Sequence, residues 1–159
     1  MLTRETFRGP WAGLPVAWTD DDQFDEATYR ADIASCCRAG VPGVYSGGTT
    51  GEFYAMEFDE FQAVARATVE QCHVHGTPAM IGVSSTYTRG AQRRAAFAAE
   101  IGADAIQVTI PFWMELAFAE VESFFRDVSS AAGDLPLSVY ETTRCKVTLT
   151  LDQHQALHD

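Results

Sequence analysis

The strongest constraint on this chain is a rhythm. Short, unbroken apolar runs fall at residues 14–18, 43–45, 79–83, 105–110 and 137–140, spaced about 30 residues apart, which is the repeat of a βα unit. Runs that do not alternate polar with apolar suit strands buried on both faces, as in a parallel sheet. Helical patterns fill the intervals. Tyr29, Ile33, Cys36 and Cys37 precede Gly40, and Phe58, Phe61, Ala65, Thr68 and Cys72 follow the second run. Ala91, Ala95 and Ala98 precede Gly102, and Phe118, Val121, Phe125 and Val128 precede Gly133. Each set lays an apolar stripe along one helix face, and a glycine after three of the four is the expected left-handed C-cap.

Residues 1–159 therefore read as a single βα array with no internal boundary. Two α/β layouts fit, an open doubly wound sheet or a (β/α)8 TIM barrel. The length of 159 residues favours the first, because a barrel takes about 250 residues. The last ten residues favour the second: they begin another helix and stop without a C-cap, so the chain is expected to hold about the first five βα units of a barrel and to end before strand six.

Both layouts bind ligands beyond the carboxyl ends of their strands. Those ends hold Thr19, the loop at residues 47–52, Ser84 and Ser85, and residues 109–113 and 140–144. The loop within VYSGGTTGEF lacks the lysine of a phosphate-binding P-loop, and Ser46 stands where a dinucleotide fingerprint needs glycine. It offers backbone N–H groups and the hydroxyls of Thr49 and Thr50, a set that matches a small carboxylate. The same glycines also suit a tight βα turn that serves packing alone.

Eleven basic against 22 acidic residues give a net charge of -11, which disfavours nucleic acid or an anionic membrane as partner. Four cysteines without CxxC spacing read as reduced thiols and favour the cytoplasm. Neither a signal peptide nor a run of roughly 18 apolar residues is present. His154 and His158 lie one helical turn apart, but Gln155 stands in place of a metalloprotease glutamate and no third ligand is evident, so no metal is expected. His73 and His75 suit the C-terminal dipole of the second helix, and the acids around Asp25 suit the N-terminus of the first.

At this point several ordered motifs resemble one family. Gly48-Thr49-Thr50-Gly51-Glu52 resembles the GTTGE motif of the dihydrodipicolinate synthase and N-acetylneuraminate lyase family. In register, Val83-Ser84-Ser85-Thr86 is similar to its third-strand end, Thr109-Ile110-Pro111-Phe112-Trp113 to its fourth-strand segment, and Leu135-Pro136-Leu137-Ser138-Val139-Tyr140 to its fifth. The resemblance implies a (β/α)8 barrel, a homo-oligomer, and a lyase or synthase that joins pyruvate or another 2-oxo acid to a lysine as a Schiff base and then makes or breaks a carbon–carbon bond with an aldehyde. No cofactor is implied. It further implies that Thr50, with Gly48 and Gly51, binds the 2-oxo acid carboxylate, that Thr49 passes protons to Tyr140, the catalytic acid and base, and that Arg144 recognises a second substrate.

Three departures qualify the substrate. The YNxPxRTG form is replaced by Tyr140-Glu141-Thr142-Thr143-Arg144, Glu141 stands in place of an asparagine, and Trp113 stands where synthases often carry a tyrosine. An indole donates but does not relay a proton, which points towards another aldehyde or a dehydration. The chain holds one lysine, Lys146, read as a surface residue, whereas the family lysine lies on the sixth strand. The alternative is therefore a truncated, non-catalytic barrel fragment that binds a small carboxylate or partner chains.

Overall fold

A computed structural model describes residues 2–3 and 5–158. Five strands, β1 (Ala12–Gly13), β2 (Val44–Ser46), β3 (Ala79–Gly82), β4 (Ala105–Val108) and β5 (Leu137–Val139), alternate with α1 (Glu26–Arg38), α2 (Phe58–Val74), α3 (Thr88–Glu100), α4 (Phe118–Ala132) and α5 (Leu151–His158). All four strand pairs are parallel and the sheet order is β1-β2-β3-β4-β5. A doubly wound sheet reverses its strand order at a switch point. Here each strand is laid beside the one before it, which is the winding of a barrel. Because parallel crossovers are right-handed, this order places the connecting helices on one face of the sheet.

The first strand differs from expectation. The apolar run at 14–18 is not the paired segment; β1 lies earlier, with Ala12 opposite Val44 and Gly13 opposite Tyr45. Leu14 N still donates to Tyr45 O at 3.2 Å, but Pro15 follows with no N–H to continue the ladder.

Residue alternation sorts the sheet into two faces. Val44, Ala79, Ile81, Ile106 and Val108 join Tyr29, Ile33, Phe61, Val64, Val121 and Phe125 in the main apolar core. Tyr45, Met80 and Ala105 are register partners of one another and lie on the opposite face, as do Gln107 and Ser138. None of these five belongs to that core. The strand at the sheet edge, β5, is only partly buried along its length, where burial on both faces was expected of its apolar run.

Caps and buried polar pairs fix the helices. Asp25 accepts from Thr28 N at 3.1 Å and from Thr28 Oγ1 at 2.7 Å, starting α1. Gly40 and Gly102 follow α1 and α3 with φ of 78° and 76°, the left-handed region that glycine enters without a Cβ penalty. Tyr29 reaches from α1 to α2, its hydroxyl 3.0 Å from Thr68 Oγ1, which donates in turn to Val64 O at 2.8 Å. His73 does more than face a helix dipole: its Nε2 lies 2.9 Å from Asp104 Oδ2, the same oxygen that accepts Ala79 N at 2.9 Å. That carboxylate ties the end of α2 to the start of β3. Among the described residues no helix is long and apolar enough to cross a membrane.

Candidate active site

The loop after β2 passes directly over the end of β3. Gly47 has φ 69°, and a Cβ there would come 2.7 Å from Gly82 O; a Cβ on Gly51 would come 3.0 Å from Leu14 O. Both glycines are therefore needed for packing, the plainer of the two readings of this loop. The turn is closed by Glu52 N donating to Thr49 O at 3.2 Å and Ala55 N to Glu52 O at 2.8 Å. It leaves Thr49 half-buried and Thr50 exposed.

A cavity of about 180 Å³ opens beside it. Its lining brings together Thr49, Thr109, Thr142 and Tyr140, the aromatic residues Phe53, Tyr54 and Phe112, and Arg144. Thr49 and Tyr140, far apart in sequence, thus share a wall, and Arg144 joins them. Thr50, Gly48 and Gly51 are not part of the lining. Gly48 instead faces the ring of Tyr45, whose Cε2 would lie 2.6 Å from a Cβ at that position.

The walls are held by groups from four loops. Thr109 N donates to Ser84 Oγ at 3.0 Å, and Thr109 Oγ1 meets the buried Cys145 Sγ at 2.9 Å, stitching the ends of β3 and β4 to the loop after β5. That loop turns through Arg144 N donating to Thr142 Oγ1 at 3.2 Å and Cys145 N to Thr142 O at 3.0 Å. Phe53 meets Phe112 edge-to-face, with ring centroids 5.8 Å apart. Arg94, a residue the sequence did not single out, donates from α3 to the carbonyls of Ser84 (2.7 Å), Met56 (3.1 Å) and Phe53 (3.4 Å). Partial burial pushes its pKa down, and three carbonyl contacts offset the desolvation of this charge. Burial, and then the charge of Tyr140, push the Tyr45 phenol up.

Other residues named from the sequence lie elsewhere. Lys146 is exposed, does not line the cavity, and donates from Nζ to Trp113 O at 3.0 Å. Trp113 itself is 73% exposed. Glu141 Oε2 is buried without an aligned hydrogen bond, 3.2 Å from His154 Nε2, so it faces α5 instead of the cavity. Among the described residues no three His, Cys, Asp or Glu side chains are grouped to hold a metal. A larger cavity, about 730 Å³, runs along the sheet edge past Leu137, Val139, Phe125 and Leu157. It follows the open edge of β5 and lies away from the strand ends, whereas the smaller cavity, with Thr109 and Tyr140 on its lining, sits at them.

Residues 6–159 match the Dihydrodipicolinate synthetase family. The chain belongs to this family. It is 31% identical over 139 residues to the 4-hydroxy-tetrahydrodipicolinate synthase of Natronomonas pharaonis, covering 87% of this chain and 46% of that protein. It is 30% identical over 152 residues to an N-acetylneuraminate lyase of Escherichia coli O1:K1 / APEC, covering 94% and 50%. Among solved structures it is similar to YagE, a prophage protein of the dihydrodipicolinic acid synthase family from E. coli K12 in complex with pyruvate, with TM-score 0.83, 27% identity, and coverage of 87% of this chain and 46% of that one. A Ruminococcus gnavus sialic acid aldolase shares the fold with TM-score 0.91 at 18% identity, over 96% and 51%. The chain spans about half the length of the curated relatives it matches. Five βα units wound in one direction are accordingly about half of a dihydrodipicolinate synthase-type TIM barrel.

Proposed function

We propose that the cavity binds pyruvate or a related 2-oxo acid, and that Tyr140 is the acid and base of an aldol-type lyase or synthase. The observation that supports this best is the convergence of Thr49, Tyr140 and Arg144 on one small cavity in a chain of this family. By resemblance to the family, Thr50 and the amides of the 47–52 loop, next to Thr49 in the chain but not on the cavity lining, hold the carboxylate, a role suited to exposed hydroxyl and N–H donors at a strand end. Tyr140 hands a proton to the reacting carbon or oxygen and recovers it through Thr49. Arg144, the one cation on the lining among the described residues, selects an aldehyde partner with an acceptor group. A homo-oligomer in the cytoplasm is part of the same reading.

Imine chemistry needs a neutral amine, desolvated or set beside a cation. Lys146 is not desolvated: it is exposed and held to Trp113 O. We assign the amine to a βα unit beyond these five, by resemblance to the family. The tether on Lys146 favours a second reading for the 159-residue chain alone, namely carboxylate binding without covalent chemistry. Calorimetry with pyruvate, paired with borohydride reduction and intact mass spectrometry, tests both. Binding without an adduct is expected. An adduct on Lys146 would overturn the assignment of the amine, and absence of binding would overturn the proposed site.

A further inference from the structure

The loop that follows β5 supplies three of the cavity's lining residues, Tyr140, Thr142 and Arg144. It is anchored at both ends, by Tyr140 N donating to Val108 O at 2.8 Å and by Cys145 Sγ, 2.9 Å from Thr109 Oγ1. Between these anchors Glu141 turns the other way and reaches α5. Its Oε2 is sealed from water, has no aligned hydrogen bond, and lies 3.2 Å from His154 Nε2. A carboxylate oxygen so placed needs a countercharge, and His154 supplies one only while its ring is protonated. The other charged or titratable groups around the imidazole are Glu122 and Arg126 of α4, which line the same groove and pair with each other at 2.7 Å, and Asp152 and His158 of α5 itself.

We propose that His154 is a positioning residue that acts through Glu141: the two form a latch, closed while the imidazole carries its proton, that holds the 140–145 loop and with it Tyr140 and Arg144 at the cavity. The His154 side chain is 43% exposed, so it exchanges its proton directly with solvent. When that proton leaves, Glu141 Oε2 keeps its burial and loses its countercharge, and the loop is favoured to turn the oxygen towards water. Tyr140 and Thr142, the neighbours of Glu141 on either side, move with it. Neither member of the latch touches substrate. Its consequence for the reaction rests on the proposed role of Tyr140.

Amide hydrogen exchange in the ligand-free chain tests it, read at Arg144 and Cys145, whose N–H groups donate to Thr142 Oγ1 and Thr142 O. Rates corrected for the intrinsic effect of pH are compared at about pH 5 and about pH 8, the range over which imidazole changes charge. Wild type is expected to exchange about fivefold faster at the higher pH, the size of a partly exposed ion pair. His154→Ala is expected to show the faster rate at both pH values and His154→Arg the slower, since a fixed cation keeps the latch closed. In a Glu141→Gln background His154→Ala should change nothing. Slow exchange at low pH in His154→Ala overturns the proposal, as does fast exchange in His154→Arg or a His154→Ala effect that persists without the Glu141 charge. So does a change shared by Ile106 N, bonded to Pro136 O within the sheet, because that is unfolding and not loop release. No substrate is present, so failure of pyruvate binding, which would remove the parent reading, is recorded separately.

Discussion

Replacing Arg94 by methionine tests how the cavity wall is built. The guanidinium reaches from α3 to three carbonyls, at 2.7 Å to Ser84, 3.1 Å to Met56 and 3.4 Å to Phe53. The shortest is a charge-assisted bond, worth about 1.5–3 kcal/mol net, and the longer two are worth about 1 kcal/mol or less each. Desolvation of the charge, visible in the lowered pKa, offsets part of this. A net loss of about 2–3 kcal/mol follows for Arg94→Met. Methionine keeps an unbranched stem near Phe61, over which the guanidinium now sits 5.1 Å from the ring centroid, so the hydrogen bonds are the main variable. Arg94→Lys restores the charge on a compact head without the fork that spans the three carbonyls, and its loss should be about half as large. Urea unfolding gives the comparison directly, provided the slope is unchanged between variants. A methionine variant within about 0.5 kcal/mol of wild type would refute the reasoning, and so would a lysine variant no more stable than the methionine one.

Two further outcomes concern the frame around the site. The hydrogen bonds from Thr28, its hydroxyl first and then its amide, hold the Asp25 carboxyl below the usual carboxylate range. A depressed folded value contributes stability above the unfolded value, near pH 3.9, and loses it as pH falls through the folded value; the gap in urea midpoint between wild type and Asp25→Ala should therefore be open near neutrality and close on acidification, and a gap that widened in acid would reverse the sign. Cys72 and Cys145 are buried while Cys36 and Cys37 are partly exposed, and burial pushes the Cys72 thiol up. Ellman's reagent should label Cys72 and Cys145 only as fast as the chain opens, and rapid labelling of Cys72 in the native state would contradict its place between α1 and α2.

Much of this fold is written locally. The stripe of Phe58, Phe61, Ala65, Thr68 and Cys72 places α2, and the glycines at 40, 102 and 133 end three helices where the sequence says they should. β1 was misplaced because an apolar run says that a segment is buried, whereas pairing also requires an N–H that Pro15 lacks. Winding was not legible from the chain's length, since strand order is a property of the sheet and not of any segment. The candidate site divides in the same way. Thr49, Tyr140 and Arg144 were named from their strand-end positions and from resemblance to the family, and they line one cavity, whereas Thr50, Gly48 and Gly51, named with them, do not. The Arg94 strap and the Phe53–Phe112 wall were not found, because each joins loops distant in sequence and nothing local in Arg94 marks it as buried. His73 was read from its helix alone, and its partner Asp104 lies beyond the next strand.

Winding in one direction gives the molecule an upholstered side and a working side. Helices pad the first; on the second, Tyr45, Ser138 and Tyr140 remain half open to solvent. Water therefore reaches the strands on that side, and any body that covers it must strip their polar groups of that water or supply partners in its place.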